Sequence, residues 1–160
     1  MAEPATLFTL GSEGRTLEEI ERLLRAERVD AVLDVRDVPW SHKPGFSKKP
    51  LAEGLEGAGI RYVHAGFAGN PKHLRAQATS TEDALARYAA HLDATPEILA
   101  QFEVLVGDLQ GEGKRICLLC LEGDPAQCHR SILAGRWAER GRGRTVRHLR
   151  FAAMRKKGRR

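Results

Sequence analysis

Apolar positions along the chain switch between a period of two and a period near 3.6, and the switching predicts strands alternating with helices. Ala5-Thr6-Leu7-Phe8-Thr9-Leu10 reads as a first strand closed by Gly11-Ser12. Thr16 and Glu19 then form a capping box, and Leu17, Ile20, Leu23 and Leu24 make one apolar helical face that runs to about Glu27. Val29 to Val35 is a second strand, its contiguous Ala31-Val32-Leu33 indicating burial on both faces. Pro50 suits the first position of a helix through Glu56, with Leu51 and Leu55 inward and Gly59 as its stop. Ile60 to His64 is a short alternating third strand.

The second half repeats the scheme. Ser80 or Thr81 caps a helix with Ala84, Leu85, Tyr88 and Leu92 on one face. Thr95-Pro96-Glu97 starts another, whose Ile98, Leu99, Phe102, Leu105, Val106 and Leu109 face inward and which Gly111 and Gly113 end. The apolar run Ile116-Cys117-Leu118-Leu119-Cys120 is the central strand. A helix from Cys128 or His129 to Glu139 packs through Ile132, Leu133, the Arg136 stem and Trp137, and Thr145 to Leu149 is a last strand. Strands alternating with helices predict an α/β three-layer sandwich with a mostly parallel five-stranded sheet and helices on both faces. One domain over 1–150 and a basic, disordered tail over 151–160 are expected.

Composition changes this picture in three places. No apolar run is long enough to span a bilayer, and the first residues lack a basic segment before an apolar one, so a cytoplasmic protein is expected. The net charge of +5 is unevenly placed: Arg140 to Arg160 holds ten Lys or Arg and no acid, leaving 16 basic against 21 acidic residues elsewhere. Such a segment suits phosphate neutralisation on a nucleic acid, or a solvated end that aids solubility. The three cysteines lie within twelve positions, and their odd count argues against a secreted disulfide scaffold. Cys117 and Cys120 are three apart inside a strand, which points them to opposite faces and makes Cys117 a small core residue.

Candidate chemistry gathers between Cys120 and Ser131. A buried strand feeds the turn-rich loop Glu122-Gly123-Asp124-Pro125, and Cys128-His129-Arg130-Ser131 opens a helix. In open α/β sheets ligands sit beyond the carboxyl ends of strands, and a helix start attracts anions and lowers a nearby thiol's pKa. Cys120 or Cys128 is the candidate nucleophile, with Glu122 as general acid or base. His129 is read as a poor base for Cys128, because neighbours on a helix do not face each other. The alternative has Cys120 packing under the loop while Cys128 and Arg130 hold its backbone. Arg130 at a helix N-terminus opposes the dipole and therefore calls for an anion or a carboxylate partner, with Glu122, Asp124 or Asp34 available.

Other strand ends add to this set. Asp34 and Arg36 close the second strand, either as ligand contacts or as ties between loops. Trp40, His42, Lys43, Phe46, Lys48 and Lys49 interleave aromatics with cations, a composition that suits stacking on a ring or packing as a lid. The glycine-rich stretch Ala65 to Arg75 brings Asn70, Lys72 and Arg75 after the third strand, but it has neither the Walker A nor the dinucleotide spacing. No cofactor is expected, and no metal: a zinc reading needs Cys120, Cys128, His129 and a distant His42 or His64, without a second paired knuckle. A redox pair of Cys120 and Cys128 needs Cα atoms within about 7 Å, which the loop allows, although the spacing is not the usual one.

Several stretches together resemble a known family. They are Thr9-Leu10-Gly11 with Arg15-Thr16-Leu17-Glu18-Glu19, then Asp34-Val35-Arg36 with Pro39, Ser41, Pro44 and Phe46. Gly59-Ile60, Tyr62, His64 and Gly69-Asn70-Pro71-Lys72 follow in order, and Cys120-Leu121-Glu122, Pro125 and Cys128-His129-Arg130-Ser131 complete the set. The chain resembles the domain of unknown function 488 family, along nearly its whole length short of the basic tail. The resemblance implies an α/β fold and an uncharacterised intracellular bacterial or archaeal protein, and it supplies no reaction. The family often has a histidine after the glycine of the first strand, where this chain has Ser12, so no role passes to that position.

The residues therefore predict a small enzyme, a cysteine-dependent hydrolase or transferase, that binds a phosphate-bearing or other anionic ligand. Cys120, Glu122, Cys128 and His129 are the expected catalytic set, and Asp34, Arg36, Asn70, Lys72, Arg130 and Ser131 the expected ligand contacts. The alternative is a non-catalytic nucleic-acid or nucleotide-binding module built on the basic loops and tail. Neither reading involves a membrane, and the oligomeric state is left open.

Overall fold

Two apolar clusters, one on each face of a single sheet, account for the architecture. The computed structural model describes residues 5–151. Its strands are β1 (Thr6–Gly11), β2 (Ala31–Asp34), β3 (Arg61–His64), β4 (Ile116–Cys120) and β5 (Thr145–His148). They form one sheet of order β3-β2-β4-β1-β5 in which every pairing is parallel. The α/β reading with a five-stranded parallel sheet is therefore correct.

Six α-helices accompany the strands: α1 (Leu17–Ala26), α2 (Lys48–Gly57), α3 (Lys72–Gln77), α4 (Thr81–Ala94), α5 (Pro96–Gly111) and α6 (His129–Glu139). The capping box is present, with Thr16 Oγ1 accepting from Glu19 N and Glu19 Oε1 from Thr16 N. Helix α2 begins at Lys48 behind Ser47, two residues before Pro50. Proline is tolerated there because the first turn's N–H groups have no intrahelical partner. Helix α3 falls where a loop was expected. It is six residues long and buries none of them, so it leaves no apolar period to read. A further 3₁₀ turn, Pro125–Gln127, lies in the loop after β4, with Asp124 Oδ1 accepting from Ala126 N.

Alternation along each strand divides the core. Leu10, Val32, Cys117 and Leu119 belong to the face covered by α1 and α2, which supply Ile20, Leu24, Leu51 and Leu55. Leu7, Leu33, Leu118 and Cys120 belong to the face covered by α4, α5 and α6, with Tyr88, Phe102, Val106 and Trp137. Cys117 and Cys120 thus lie on opposite faces, and Cys117 is wholly buried among apolar side chains, which pushes its thiol far up.

The two covering layers arise because the chain leaves β1 towards β2 and leaves β4 towards β5, in opposite directions from neighbouring strands. The carboxyl ends of β1 and β4 form a switch point, where α/β sheets place ligands. Ser12 N donates to Cys120 O at 2.9 Å and Glu13 N to Leu121 O at 2.8 Å, so the two loops are joined beyond the sheet.

Part of the basic segment is tied to the fold. Arg140 and Arg144 pair with Glu103 at 2.5 and 3.0 Å, and Arg147 pairs with Glu27 at 3.2 Å. Of the tail expected over 151–160, all but Phe151 lies outside the described residues. No helix among the described residues is long and apolar enough to cross a membrane.

Candidate functional site

Strand β4 ends at Cys120, and the chain returns to the same point at Cys128 and His129. Arg130, itself anchored on β1, and Ser131 hold the intervening loop. Arg130 Nη1 donates to Glu122 O at 2.5 Å, its Nε donates to Thr9 Oγ1 at 3.2 Å, and Ser131 Oγ donates to Pro125 O at 2.5 Å. A Cβ on Gly11 would overlap the carbonyl of Glu122. Glycine at that position lets the loop lie directly on the end of β1.

The loop brings the Cys120, Cys128 and His129 donor atoms within 4.8 Å of one another, all three residues buried. Cys120 Sγ is 3.7 Å and Cys128 Sγ 4.0 Å from His129 Nδ1. His129 Nε2 lies 2.9 Å from Val35 O. A carbonyl only accepts, so Nε2 carries the hydrogen and the neutral ring presents the Nδ1 lone pair to both sulfurs. The Tyr88 ring meets the imidazole edge to face at 5.0 Å, and its hydroxyl donates to Ala68 O at 2.7 Å. The ring is thereby fixed on two sides.

The expectation that His129 faces away from Cys128 is corrected here. The i, i+1 rule holds inside a helix, whereas Cys128 is the N-cap of α6, with extended φ −130° and ψ 139°. That conformation turns its sulfur back towards the histidine.

The sulfurs differ in environment. The neighbouring Cys120 thiol, donating towards Cys128, holds the Cys128 thiol below its ordinary range against the effect of burial, and the Arg130 charge adds to this. Cys120 is held well above the ordinary thiol range by its interaction with Cys128, by burial and by the charges of Cys128 and Glu122. Burial, then the Cys128 charge, raises the Glu122 carboxyl as well. Glu122 Oε2 lies 3.8 Å from Cys120 Sγ.

A cleft of about 540 Å³ opens above this cluster. Cys120, Glu122 and His129 line it, together with Ser12, Arg36, Asn70, Arg75 and Trp40, while Cys128 lies beneath. Trp40 is exposed at its edge, its ring against His42 at 4.3 Å. Asn70 is buried in the wall, and its Oδ1 is a buried acceptor without a hydrogen-bond partner among the described residues.

The other expected ligand contacts have internal partners. Arg36 forks onto Asp34 with Nε–Oδ1 2.8 Å and Nη2–Oδ2 2.7 Å, and donates from Nη1 to Phe46 O at 2.6 Å. Asp34 is fully buried beneath it. Lys72 is exposed and outside the cleft wall, its backbone N–H donating to Asp37 Oδ2. Arg130 is fully buried, its donors on Thr9 and on the carbonyls of Glu122 and Gly123. In the cleft wall the cation with donors to spare is Arg75, whose Nε donates to Asn70 O at 3.0 Å and whose Nη2 is 3.8 Å from Asp37 Oδ2.

Gly11, Thr9 and Tyr88 carry no chemical role in the sequence reading: Thr9-Leu10-Gly11 enters only as part of the family resemblance and the end of a strand, and Tyr88 only as an apolar helix position. A polar residue within an apolar strand was the one available signal, at Thr9.

Residues 16–137 match the family Domain of unknown function DUF488, and the chain belongs to that family. The match runs from the N-cap of α1 to Trp137 in α6, so it includes the Cys/His cluster and leaves out β1 and β5. No curated protein and no solved structure matches the chain.

Proposed function

We propose that the cleft is the active site of a cytoplasmic cysteine-dependent hydrolase or transferase acting on a small substrate with an anionic group. The convergence of two sulfurs on the Nδ1 lone pair of one histidine, at the floor of a cleft, carries this reading. Cys120 is the sulfur that lines the cleft. As it attacks an electrophilic carbon or phosphorus, its proton passes to His129 Nδ1, and the bond to the leaving group breaks. Glu122, in the same wall, protonates that leaving group. Val35 O holds the imidazole tautomer through the transfer. Arg75 meets the substrate's carboxylate or phosphate. A reducing compartment suits three cysteines that are all unpaired.

Alkylation of the reduced, chelator-treated protein with iodoacetamide, mapped by peptide mass, tests the reading. We expect Cys120 to react first, at least about tenfold faster than in His129→Gln. Inorganic phosphate slows the reaction in the native chain and not in Arg75→Ala. Labelling of Cys120 no faster than in His129→Gln overturns the thiol mechanism, and equal phosphate effects in both chains overturn the anion contact.

A further inference from the structure

The same three donors have the composition and spacing of a metal site. We propose that Cys120, Cys128 and His129 bind a thiophilic divalent cation of the Zn²⁺ class, with its fourth coordination position open to the cleft. The inference goes beyond the thiol reading and stands without it.

The donor set comes first. Two thiolates and an imidazole select soft or borderline cations over Mg²⁺ or Ca²⁺. Cys₂His is a three-ligand set that leaves a tetrahedral zinc one position for water or substrate. Distances come second. Zinc bonds of about 2.3 Å to sulfur and about 2.0–2.1 Å to nitrogen place tetrahedral S and N ligands about 3.6 Å apart. The present S···N separations are 3.7 and 4.0 Å and all three donor atoms lie within 4.8 Å of one another, so closure needs a few tenths of an ångström between sulfur and nitrogen and at most about 1 Å between the sulfurs. Nδ1 is the nitrogen bearing the lone pair, and Nε2–H is held by Val35 O at 2.9 Å. That backbone contact is the outer support that metal-bound histidines ordinarily have.

The frame is rigid at all three ligands: a strand end, a helix N-cap and the first residue of that helix. Arg130 is a neighbouring cation, but its guanidinium is turned towards Thr9 and the carbonyls of Glu122 and Gly123. The open position follows from placement, since Cys120 and His129 line the cleft while Cys128 lies beneath it. Glu122, 3.8 Å from Cys120 Sγ, borders that position. Binding displaces the thiol protons into solvent. A loaded site has no free sulfur for attack, so the metal-bound and nucleophilic states exclude each other.

Titrating Co²⁺ into the reduced, chelator-stripped full chain tests the proposal. The expected result is one Co²⁺ per chain, with sulfur-to-cobalt charge-transfer bands and the intense d–d bands of four-coordination. Zn²⁺ should bleach the colour stoichiometrically. Cys120→Ser and Cys128→Ser should each weaken binding at least about tenfold. Because a buried serine can disturb folding, the native chain supplies a second readout: Zn²⁺ should protect Cys120 and Cys128 from alkylation, and chelator should reverse this. Weak octahedral bands, Co²⁺ binding unweakened in both Cys120→Ser and Cys128→Ser, or full alkylation under Zn²⁺ overturns the metal site. Alkylation in chelator reads the thiol mechanism alone, so each proposal fails on its own measurement.

Discussion

Two buried polar clusters stand at the carboxyl ends of the central strands, on opposite faces of the sheet, and they differ in saturation. At the end of β2, both Asp34 oxygens are engaged: Oδ1 accepts from Arg36 Nε and backbone N, and Oδ2 from Arg36 Nη2 and the Tyr62 hydroxyl. Arg36 places its remaining terminal nitrogen on Phe46 O, which pins the long loop between β2 and α2. At the end of β4, two sulfurs share one nitrogen at 3.7 and 4.0 Å, with a carboxylate at 3.8 Å and a cleft above. The first cluster closes on itself through short contacts. The second keeps reactive atoms together without using them up. A saturated buried network is an argument for architecture, and an unsaturated one for chemistry.

The largest effect that can break this contrast is on stability. Asp34→Ala leaves a largely buried guanidinium without its carboxylate and should cost about 3–5 kcal/mol, the range for breaking a buried pair. Urea unfolding measures it. A loss below about 1 kcal/mol would show that the Asp34 cluster is not a structural tie, and the distinction between the two strand ends would disappear.

Gly11→Ala comes next, because it attacks the reactive cluster through the backbone alone. The added methyl overlaps Glu122 O, so the loop after β4 must move off the end of β1. A cost of about 1–3 kcal/mol is expected, as for other overpacked sites. Cys120 alkylation should also lose its dependence on His129. Unchanged stability together with unchanged reactivity would mean that the loop is not seated on β1.

These two positions show what the sequence could and could not convey. Apolar period was enough for the five strands, for α1, α4, α5 and α6, and for the opposite faces of Cys117 and Cys120. It was silent on α3, which buries no residue, and on the 3₁₀ turn at Pro125–Gln127, whose stability rests on a capping aspartate. Within the site, residue types near Cys120 and Cys128 were legible, but pairing was not. Whether Cys128 faces His129 depends on one residue's lying outside the helix. Arg130 called for negative charge at a helix start, and the structure supplies carbonyl oxygens of the loop instead. Asp34 and Arg36 were equally compatible with a ligand or a tie, because saturation is a property of three-dimensional partners.

Cys128→Ser sharpens the comparison from the chemical side. The substitution keeps the shape but puts a hydroxyl in place of a weakly polar buried thiol, so a stability loss of about 1 kcal/mol, a typical single-site cost, is expected. Iodoacetamide labelling of Cys120 should nevertheless change several-fold, because its sulfur loses the partner that holds its thiol in the protonated form. Parallel urea unfolding and peptide mapping separate the two effects. A loss comparable with that of Asp34→Ala and an unchanged labelling rate would reverse the roles assigned to the two clusters.

A second carboxylate–arginine arrangement, at the surface, sets the lower end of the scale. Glu103 on α5 accepts from Arg140 at 2.5 Å and from Arg144 at 3.0 Å, joining α5 to the chain beyond α6. Its limited burial raises the carboxyl, but the two arginines outweigh that and hold it below the usual glutamate value. A carboxyl depressed in the folded state contributes stability that is present above its unfolded value, near 4.3, and is lost as pH falls through the folded value. The pair is partly exposed and screened by solvent, so the contribution is a few tenths to about 1 kcal/mol. Urea unfolding of the native chain and Glu103→Gln should therefore show a gap above about pH 5 that closes below the unfolded value. The same gap at every pH would mean that glutamine loses packing or hydrogen bonding at this site rather than charge. The graded series from Asp34 to Glu103 would then reflect burial and bonding, with no separate contribution from each carboxylate's charge.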